Sequence, residues 1–396
     1  MSLYHVIEHT IDASHIREFA RATSNSQAET LRLAVKQYVP KDNPHPRKGD
    51  LTIIAAHANG FVKVRFSFLS PWSSSSPSSS SFSSRPLHLP FPPPPFFLFF
   101  LHLPSWFDLS RDIIHMINLF RPPPPLLAVG HSFGACALTH ASFLHPRLFA
   151  GLVLLEPVIG YFDSKPSHIV KGPAGRSIRR RDRWPSRRAA ADSFQRSPFY
   201  QSWDPRVLDR WIEHGLCPVP GTEADVMLTT SKHQEVFTYL RPSWDAYDVD
   251  GNRIIHPEKV PDLDTTLHPN VRTFPFYRAE SALTFAHLAE LRSAVLYIIG
   301  GKSETSPPDL CDERTAATGT RGGASVKSVT NPHYGHLLPM EDPGYCAAEA
   351  AEFAAQIIRR WSADEDEFEQ WTRLKPLEKT TVGDDFLKHL DLKPKI

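Results

Sequence analysis

Leu126-Leu127-Ala128-Val129-Gly130-His131-Ser132-Phe133-Gly134-Ala135 decides how the rest of the chain is read. Four apolar residues run into a G-x-S-x-G turn, and a helix-like stretch from Ala135 to Leu144 follows, closed by His145-Pro146. Strand, turn and helix in that order make a nucleophile elbow. The tight turn strains the serine backbone, and a glycine on each side lets helix and strand approach without a Cβ in the way. A serine hydroxyl held at such a bend stands out above the sheet edge, where a substrate carbonyl can reach it.

The same alternation extends to both sides. Apolar Gly151-Leu152-Val153-Leu154-Leu155 predicts a strand after the elbow helix, and Leu51-Thr52-Ile53-Ile54-Ala55-Ala56 predicts an earlier one. Between Trp106 and Phe120, apolar residues recur at helical spacing (Phe107, Ile113, Ile114, Ile117, Phe120) until the prolines at 122–125. Strand, helix, strand in succession predicts an α/β fold, a mostly parallel sheet flanked by helices. After Glu156-Pro157 regular strand runs stop. They return only at Ala294-Val295-Leu296-Tyr297-Ile298-Ile299, followed by a short strand at 325–329 and a helix at 347–361. The intervening Arg-, Trp-, Pro- and Tyr-rich stretch, with helical pieces at 186–196 and 205–214, is expected to be a helical cap inserted after the strand that follows the elbow. The expected division is core (1–157), cap (158–285), core again (286–361) and a charged, loosely attached tail (362–396).

A formal net charge of +1 over 396 residues provides no field for recruiting nucleic acid or an anionic membrane. Cys136, Cys217, Cys311 and Cys346 form no C-x-x-C pair, no glycosylation sequon occurs, and the first residues lack a signal-peptide core. These features favour a reducing compartment. Arg176, Arg179, Arg180, Arg181 and Arg183 form a basic cluster, but with Trp184 and Pro185 interleaved it reads better as a solvated cap face than as a nucleic-acid site. The aromatics Phe199, Tyr200, Trp203, Trp211 and Tyr239 are expected chiefly to pack the cap, with some free to line a pocket.

Residues 64–103 break this composition, consisting almost wholly of Ser, Pro, Phe and Leu. Codons for these amino acids can begin with two pyrimidines, so a pyrimidine-rich tract such as a retained intron would translate this way. The apolar run 96–103 is far shorter than the roughly 20 residues needed to span a membrane. Neither a helical nor a strand period is visible, so the stretch is expected to be coil and the sheet to lack a strand there.

Sites built on such an elbow take nucleophile, acid and histidine in chain order. Ser132 is the candidate nucleophile. His336, after Gly335 in Tyr334-Gly335-His336-Leu337, is the candidate base, with His333 the competitor. The acid is Glu156, at the end of an apolar strand, or Glu304 in the loop after Gly300, where Ser303 cannot orient an imidazolium and Asp309 and Asp312 lie further on. Two N–H groups must face the developing oxyanion: one from Phe133, the other from His57–Phe61, assigned to Phe61 with Asn59 as alternative. No metal-ligand spacing occurs, and neither metal nor cofactor is expected.

With these motifs the chain resembles the fungal α/β-hydrolase family that carries a His-Ala-Asn-Gly-Phe loop (57–61), a group that includes a peroxisomal lipase and hydrolases from host-selective toxin clusters. The resemblance rests on 57–61, 104–120, 130–135, 145–160, 180–194, 203–216, 296–303 and 334–342. It implies the α/β-hydrolase fold and a serine hydrolase that acts on an ester or thioester of a fairly apolar small molecule or lipid through an acyl-serine. Ser132 and His336 take the family's nucleophile and base positions. The chain departs from the family at 64–103 and in ending Pro394-Lys395-Ile396, a near-miss of the S-K-L address read by the peroxisomal import receptor. Peroxisomal or cytoplasmic location is the expectation. A catalytically inert chain and a secondary-metabolite biosynthesis step are the alternative readings.

Overall fold

The wholly apolar runs of the sequence become the middle of one sheet. The computed structural model describes residues 3–19, 26, 28–60, 79–86, 105–161, 166–264, 266–267 and 275–390. In chain order, β1 (Tyr4–Asp12), β2 (Arg32–Pro40), β3 (Leu51–Ala56), β4 (Ser79–Pro86), α1 (Trp106–Phe120), β5 (Leu126–His131), α2 (Phe133–Leu144) and β6 (Gly151–Leu155) form the first part. Next come α3 (Pro166–Lys171), α4 (Pro173–Arg179), β7 (Arg183–Trp184), α5 (Arg187–Gln195), α6 (Pro198–Gln201), α7 (Pro205–His214), β8 (Leu216–Pro218) and β9 (Val226–Leu228). After them stand α8 (Lys232–Tyr239), β10 (Arg241–Pro242), β11 (Phe276–Tyr277) and α9 (Ala279–Ala286). The chain closes with β12 (Ala294–Gly300), α10 (Pro308–Ala317), β13 (Val326–Asn331), α11 (Leu338–Glu341), α12 (Pro343–Thr372), α13 (Pro376–Thr380) and α14 (Asp384–His389).

Eight strands pair in the order β1-β2-β4-β3-β5-β6-β12-β13. From β4 to β13 every neighbouring pair is parallel, and β1 and β2 add an antiparallel edge. Successive side chains of the central strands go to opposite faces, as a period of two requires. Ile54, Ala128, Leu152, Leu154, Val295 and Tyr297 pack under α1 and α2. Ile53, Leu127, Val129, Val153, Leu155 and Leu296 pack under Ala350, Phe353 and Ile357 of α12. Covering both faces is why β5, β6 and β12 read as unbroken apolar runs rather than alternating ones. Each fully buried Leu or Val there contributes about 1.5–3 kcal/mol relative to exposure. Helix starts are fixed by side chains: Ser105 and Asp108 form a capping box on α1, and Asp342 accepts from Tyr345 N–H (2.9 Å) at α12.

Three expectations need correction. Residues 64–103 were expected to supply no strand, yet residues 79–86 lie between β2 and β3 as β4, antiparallel to the first and parallel to the second. The remainder of 64–103 is outside the described residues. Strand pairing uses backbone groups alone, so the rows of N–H and C=O on β2 and β3 accept an extended chain whatever its apolar period. The stretch between β6 and β12 is not purely helical. It also carries a three-stranded sheet, β7-β9-β8, and the pair β10-β11, whose strands of two or three residues are too short to show a period. Finally, the last helix does not end at 361 but runs to Thr372, and α13 and α14 follow it. Ala, Asp, Glu and Gln there permit helix without an apolar face, and Lys48 holds it through an ion pair with Glu365. Among the described residues no helix is long and apolar enough to cross a membrane.

Phe82 stands opposite Gln37 on one side and Ile54 on the other. Proline there withdraws an N–H from the ladder. Phe82→Pro is expected to cost about 1–3 kcal/mol, seen as an earlier urea midpoint; an unchanged midpoint would place 79–86 outside the sheet.

Candidate functional site

Apolar β5 ends at the elbow, where Ser132 adopts φ 59° and ψ −124°, a left-handed setting that costs a non-glycine residue on the order of 1–3 kcal/mol. The surroundings hold it there. Ser132 N–H donates to Leu155 C=O (3.1 Å), and Ser132 C=O accepts from Ala135 (3.1 Å) and Val158 (3.3 Å). Glycine is required on both sides, because a Cβ on Gly130 would stand 2.5 Å from Ala135 Cα and one on Gly134 2.5 Å from Ala56 O. The close approach at Gly134 also brings the end of β3, and so the 57–60 loop, against the start of α2.

His336 follows β13 and comes back over the elbow. Its Nε2 lies 3.1 Å from Ser132 Oγ. His131, next to the serine, reaches its Nε2 to His336 C=O at 2.9 Å. A carbonyl only accepts, so His131 carries its proton on Nε2. On the other side of the His336 ring, Nδ1 lies 3.1 Å from Glu156 Oε2 and 2.7 Å from Thr305 Oγ1. A carboxylate accepts, which puts the imidazole proton on Nδ1 and leaves the Nε2 lone pair facing the serine hydroxyl.

Glu156 is fully buried and, like Ser132, sits at positive φ (46°). An ionised carboxylate sealed from water must be hydrogen-bonded or pay several kcal/mol. Here Gly300 N–H donates to Oε1 at 2.6 Å and Ser303 Oγ donates to Oε2 at 2.5 Å. The backbone beyond it is fixed by Arg314, itself fully buried, whose guanidinium donates to Pro157 C=O (3.0 Å) and Ile159 C=O (3.3 Å) and lies 5.2 Å over the Tyr297 ring.

The structure therefore brings Ser132, His336 and Glu156 into one hydrogen-bonded line and leaves the alternatives elsewhere. The Glu304 side chain is 83% exposed and faces Arg176 at 3.7 Å. Asp309 and Asp312 are exposed on α10, and His333 is exposed beside Asn331. Phe133 is the first residue of α2, a position whose N–H points out of the helix start. The Asn59 side-chain amide donates to Glu235 C=O (2.8 Å), while Gly60, at φ 77°, packs against the Glu235 carboxylate. Burial pushes that carboxyl above its ordinary value, against the pull of its ion-pair partner Arg180. Phe61 lies outside the described residues, as does Pro394–Ile396. Trp184, Phe194, Trp203 and Trp211 form a core of their own. The sequence reading missed Thr305, the anchoring role of Ser303, and Arg314; hydroxyls and a lone arginine in a loop-and-helix stretch carry no periodic or motif signal.

A model of the alpha/beta hydrolase family matches residues 76–349, and the elbow and strand order agree with it. The chain belongs to the alpha/beta hydrolase family. Among fungal relatives it is 31% identical to the type I acyl-CoA thioesterase mpaH' of Penicillium brevicompactum, with 91% of each chain covered. It is 29% identical to the abhydrolase domain-containing protein AFT2-1 of Alternaria alternata, over 62% of this chain and 86% of that one. The crystal structure of peroxisomal α/β-hydrolase Lpx1 from Saccharomyces cerevisiae superposes with a TM-score of 0.68, covering 97% of this chain and 100% of that one at 13% identity. At that identity the likeness speaks for fold alone. The fungal α/β-hydrolase resemblance read from the sequence is borne out.

Alanine at 134 must push the start of α2 from the end of β3. Gly134→Ala is expected to cost about 1–3 kcal/mol by urea unfolding; a wild-type midpoint would contradict the close approach.

Proposed function

We propose that this hydrolase cleaves an ester or thioester through an acyl-serine, with Ser132 as nucleophile, His336 as general base and then acid, and Glu156 orienting the imidazole. The observation that carries the proposal is the unbroken line Ser132 Oγ to His336 Nε2 (3.1 Å) and His336 Nδ1 to Glu156 Oε2 (3.1 Å) at a strained elbow. Attack of Oγ on the carbonyl carbon passes the serine proton to Nε2, and the buried carboxylate stabilises the imidazolium that results. The oxyanion faces Phe133 N–H and, in the proposal, Phe61 N–H. Collapse expels the alcohol or thiol, which takes the proton from Nε2. Water then repeats the sequence on the acyl-serine and frees the acid.

A thioester is favoured by the relative named an acyl-CoA thioesterase, which is matched over 91% of this chain. That kinship also favours a place in secondary metabolism. Apolar side chains border the serine: Phe133 follows it with Trp106 5.6 Å away, and Leu337 follows the base and packs on the Trp184–Trp211 cluster. These suit a fairly apolar acyl group. Residues 158–285 are proposed as the cap, tied to the core by Asn59 to Glu235 and by Asp204 N–H to Met340 C=O (2.9 Å).

A fluorophosphonate probe is expected to label the protein and to fail on Ser132→Ala, with kcat/KM on a medium-chain thioester falling about 10³-fold or more. Glu156→Gln is expected to lose about 10²- to 10⁴-fold and Glu304→Gln to stay near wild type. The reverse order moves the acid to Glu304, and a folded sample that takes no label is inert. Delivery to peroxisomes by Pro394-Lys395-Ile396 belongs to the same proposal: a fluorescent protein fused ahead of the chain should become punctate and turn diffuse when these residues are removed. A signal diffuse from the start overturns it.

A further inference from the structure

His336 Nδ1 has two oxygens before it, and the nearer one is not the carboxylate. Thr305 Oγ1 lies at 2.7 Å and Glu156 Oε2 at 3.1 Å. Thr305 Oγ1 lies 3.1 Å from Ser303 Oγ and 3.4 Å from Glu156 Oε2, while Ser303 Oγ reaches Glu156 Oε2 at 2.5 Å. Each hydroxyl has one proton to give. The carboxylate only accepts, so the shortest contact fixes Ser303 as its donor. Ser303 then accepts from Thr305, and Thr305 is left with its lone pairs toward Nδ1–H. The protons align in a single direction: Nδ1–H to Thr305, Thr305 to Ser303, Ser303 to Glu156. The chain returns to the same carboxylate oxygen that Nδ1 faces directly, and aligned hydrogen bonds of this kind polarise one another.

We propose that Thr305 and Ser303 form a hydroxyl bridge that positions His336, so that the acid holds the imidazole by two routes, one direct and one through the bridge. The proposal rests on the hydrolase reading above and deepens it. Thr305 and Ser303 are positioning residues, since neither contacts Ser132. Thr305 fixes the tautomer when the ring is neutral. As the ring gains a proton from Ser132, the growing charge on Nδ1–H is shared between a hydroxyl already polarised by the carboxylate and the carboxylate itself, and no proton leaves the ring toward Glu156. The short turn from Gly300 to Thr305 puts both hydroxyls on one side of the carboxylate, with Gly300 N–H on its other oxygen. Both arms of the carboxyl are thereby fixed by the same turn.

The test compares Thr305→Val, Thr305→Ser, Ser303→Ala and the Thr305→Val/Ser303→Ala double variant in the full chain, each first matched to wild type by urea midpoint. Thr305→Val is expected to lower kcat on the thioester about three- to tenfold with KM unchanged, the loss of one neutral hydrogen bond from the ring. Thr305→Ser should restore it, and the double variant should be little worse than the worse single one, because both cut the same chain. Wild-type kcat in Thr305→Val, equal loss in Thr305→Ser, a change in KM alone, or additive losses would each overturn the bridge. A second readout does not need turnover: the downfield imidazole proton resonance of His336 should be present in wild type, and broaden or shift in Thr305→Val but not in Thr305→Ser. If Ser132→Ala proves as active as wild type, the hydrolase reading fails while that resonance still decides the bridge. An identical resonance in Thr305→Val rules the bridge out.

Discussion

A carboxylate kept from water dictates the arrangement at the end of β6. Glu156 has no solvent contact, so its hydrogen-bond donors must come from within the chain. The donors come from the end of β12 and the turn that follows it, and the imidazole comes from the loop after β13. The requirement therefore reaches across three strands. It also explains the buried Arg314, which donates to the carbonyls of Pro157 and Ile159 just after Glu156. A cation placed there, with a ring face beneath it, fixes the backbone on the exit side as Gly300 and Ser303 fix the side chain. The positive φ of Glu156 is maintained by this over-determination, as strained residues generally are.

Ser132 is held by the same logic with different means. Its strain is balanced by packing, not by charge: the helix behind it starts against β3 so closely that no side chain fits at 134. From Gly134 to Ser142 every residue of α2 but His140 is buried, so the helix has no room to slide and relax the turn. Rigidity of the sheet and the placing of one hydroxyl at its edge are thus a single property, since relieving the strain would cost buried area on both sides of β5.

What the sequence made legible follows from what burial writes into it. β3, β5, β6 and β12 were read from apolar runs because both sheet faces are covered, and α1 from its spacing of Phe107, Ile113 and Ile117. The serine and the histidine were read because a turn between a strand and a helix, and a glycine before a loop histidine, are local patterns. Glu156 was singled out for the same reason in reverse: a charge ending a wholly apolar strand is conspicuous. β4 left no trace, because pairing to two neighbours is a property of the backbone and its serines write no period. β1 was not assigned, since an edge strand with many exposed residues alternates only weakly, and β2 was not because Lys36 and Gln37 interrupt its apolar residues. Thr305 and Ser303 stayed invisible because their role exists only once β6, β12 and β13 lie side by side.

The order β3-β5-β6-β12-β13 places five consecutive strands about 4.8 Å apart, all pointing the same way, and each ends at the same edge of the sheet. The loop after β3 approaches the helix start, β5 ends in Ser132, β6 in Glu156, β12 in the turn bearing Ser303 and Thr305, and β13 leads to His336. In open α/β sheets the carboxyl ends of the strands are where ligands gather, and here each strand contributes one part. The carboxylate on β6 and the hydroxyls after β12 are neighbours by topology, so a histidine arriving from β13 meets both. A glutamate, one methylene longer than aspartate, reaches past the end of its own strand to the position that the β12 turn overlooks. For that reason the hydroxyls after β12 meet the Glu156 carboxylate itself.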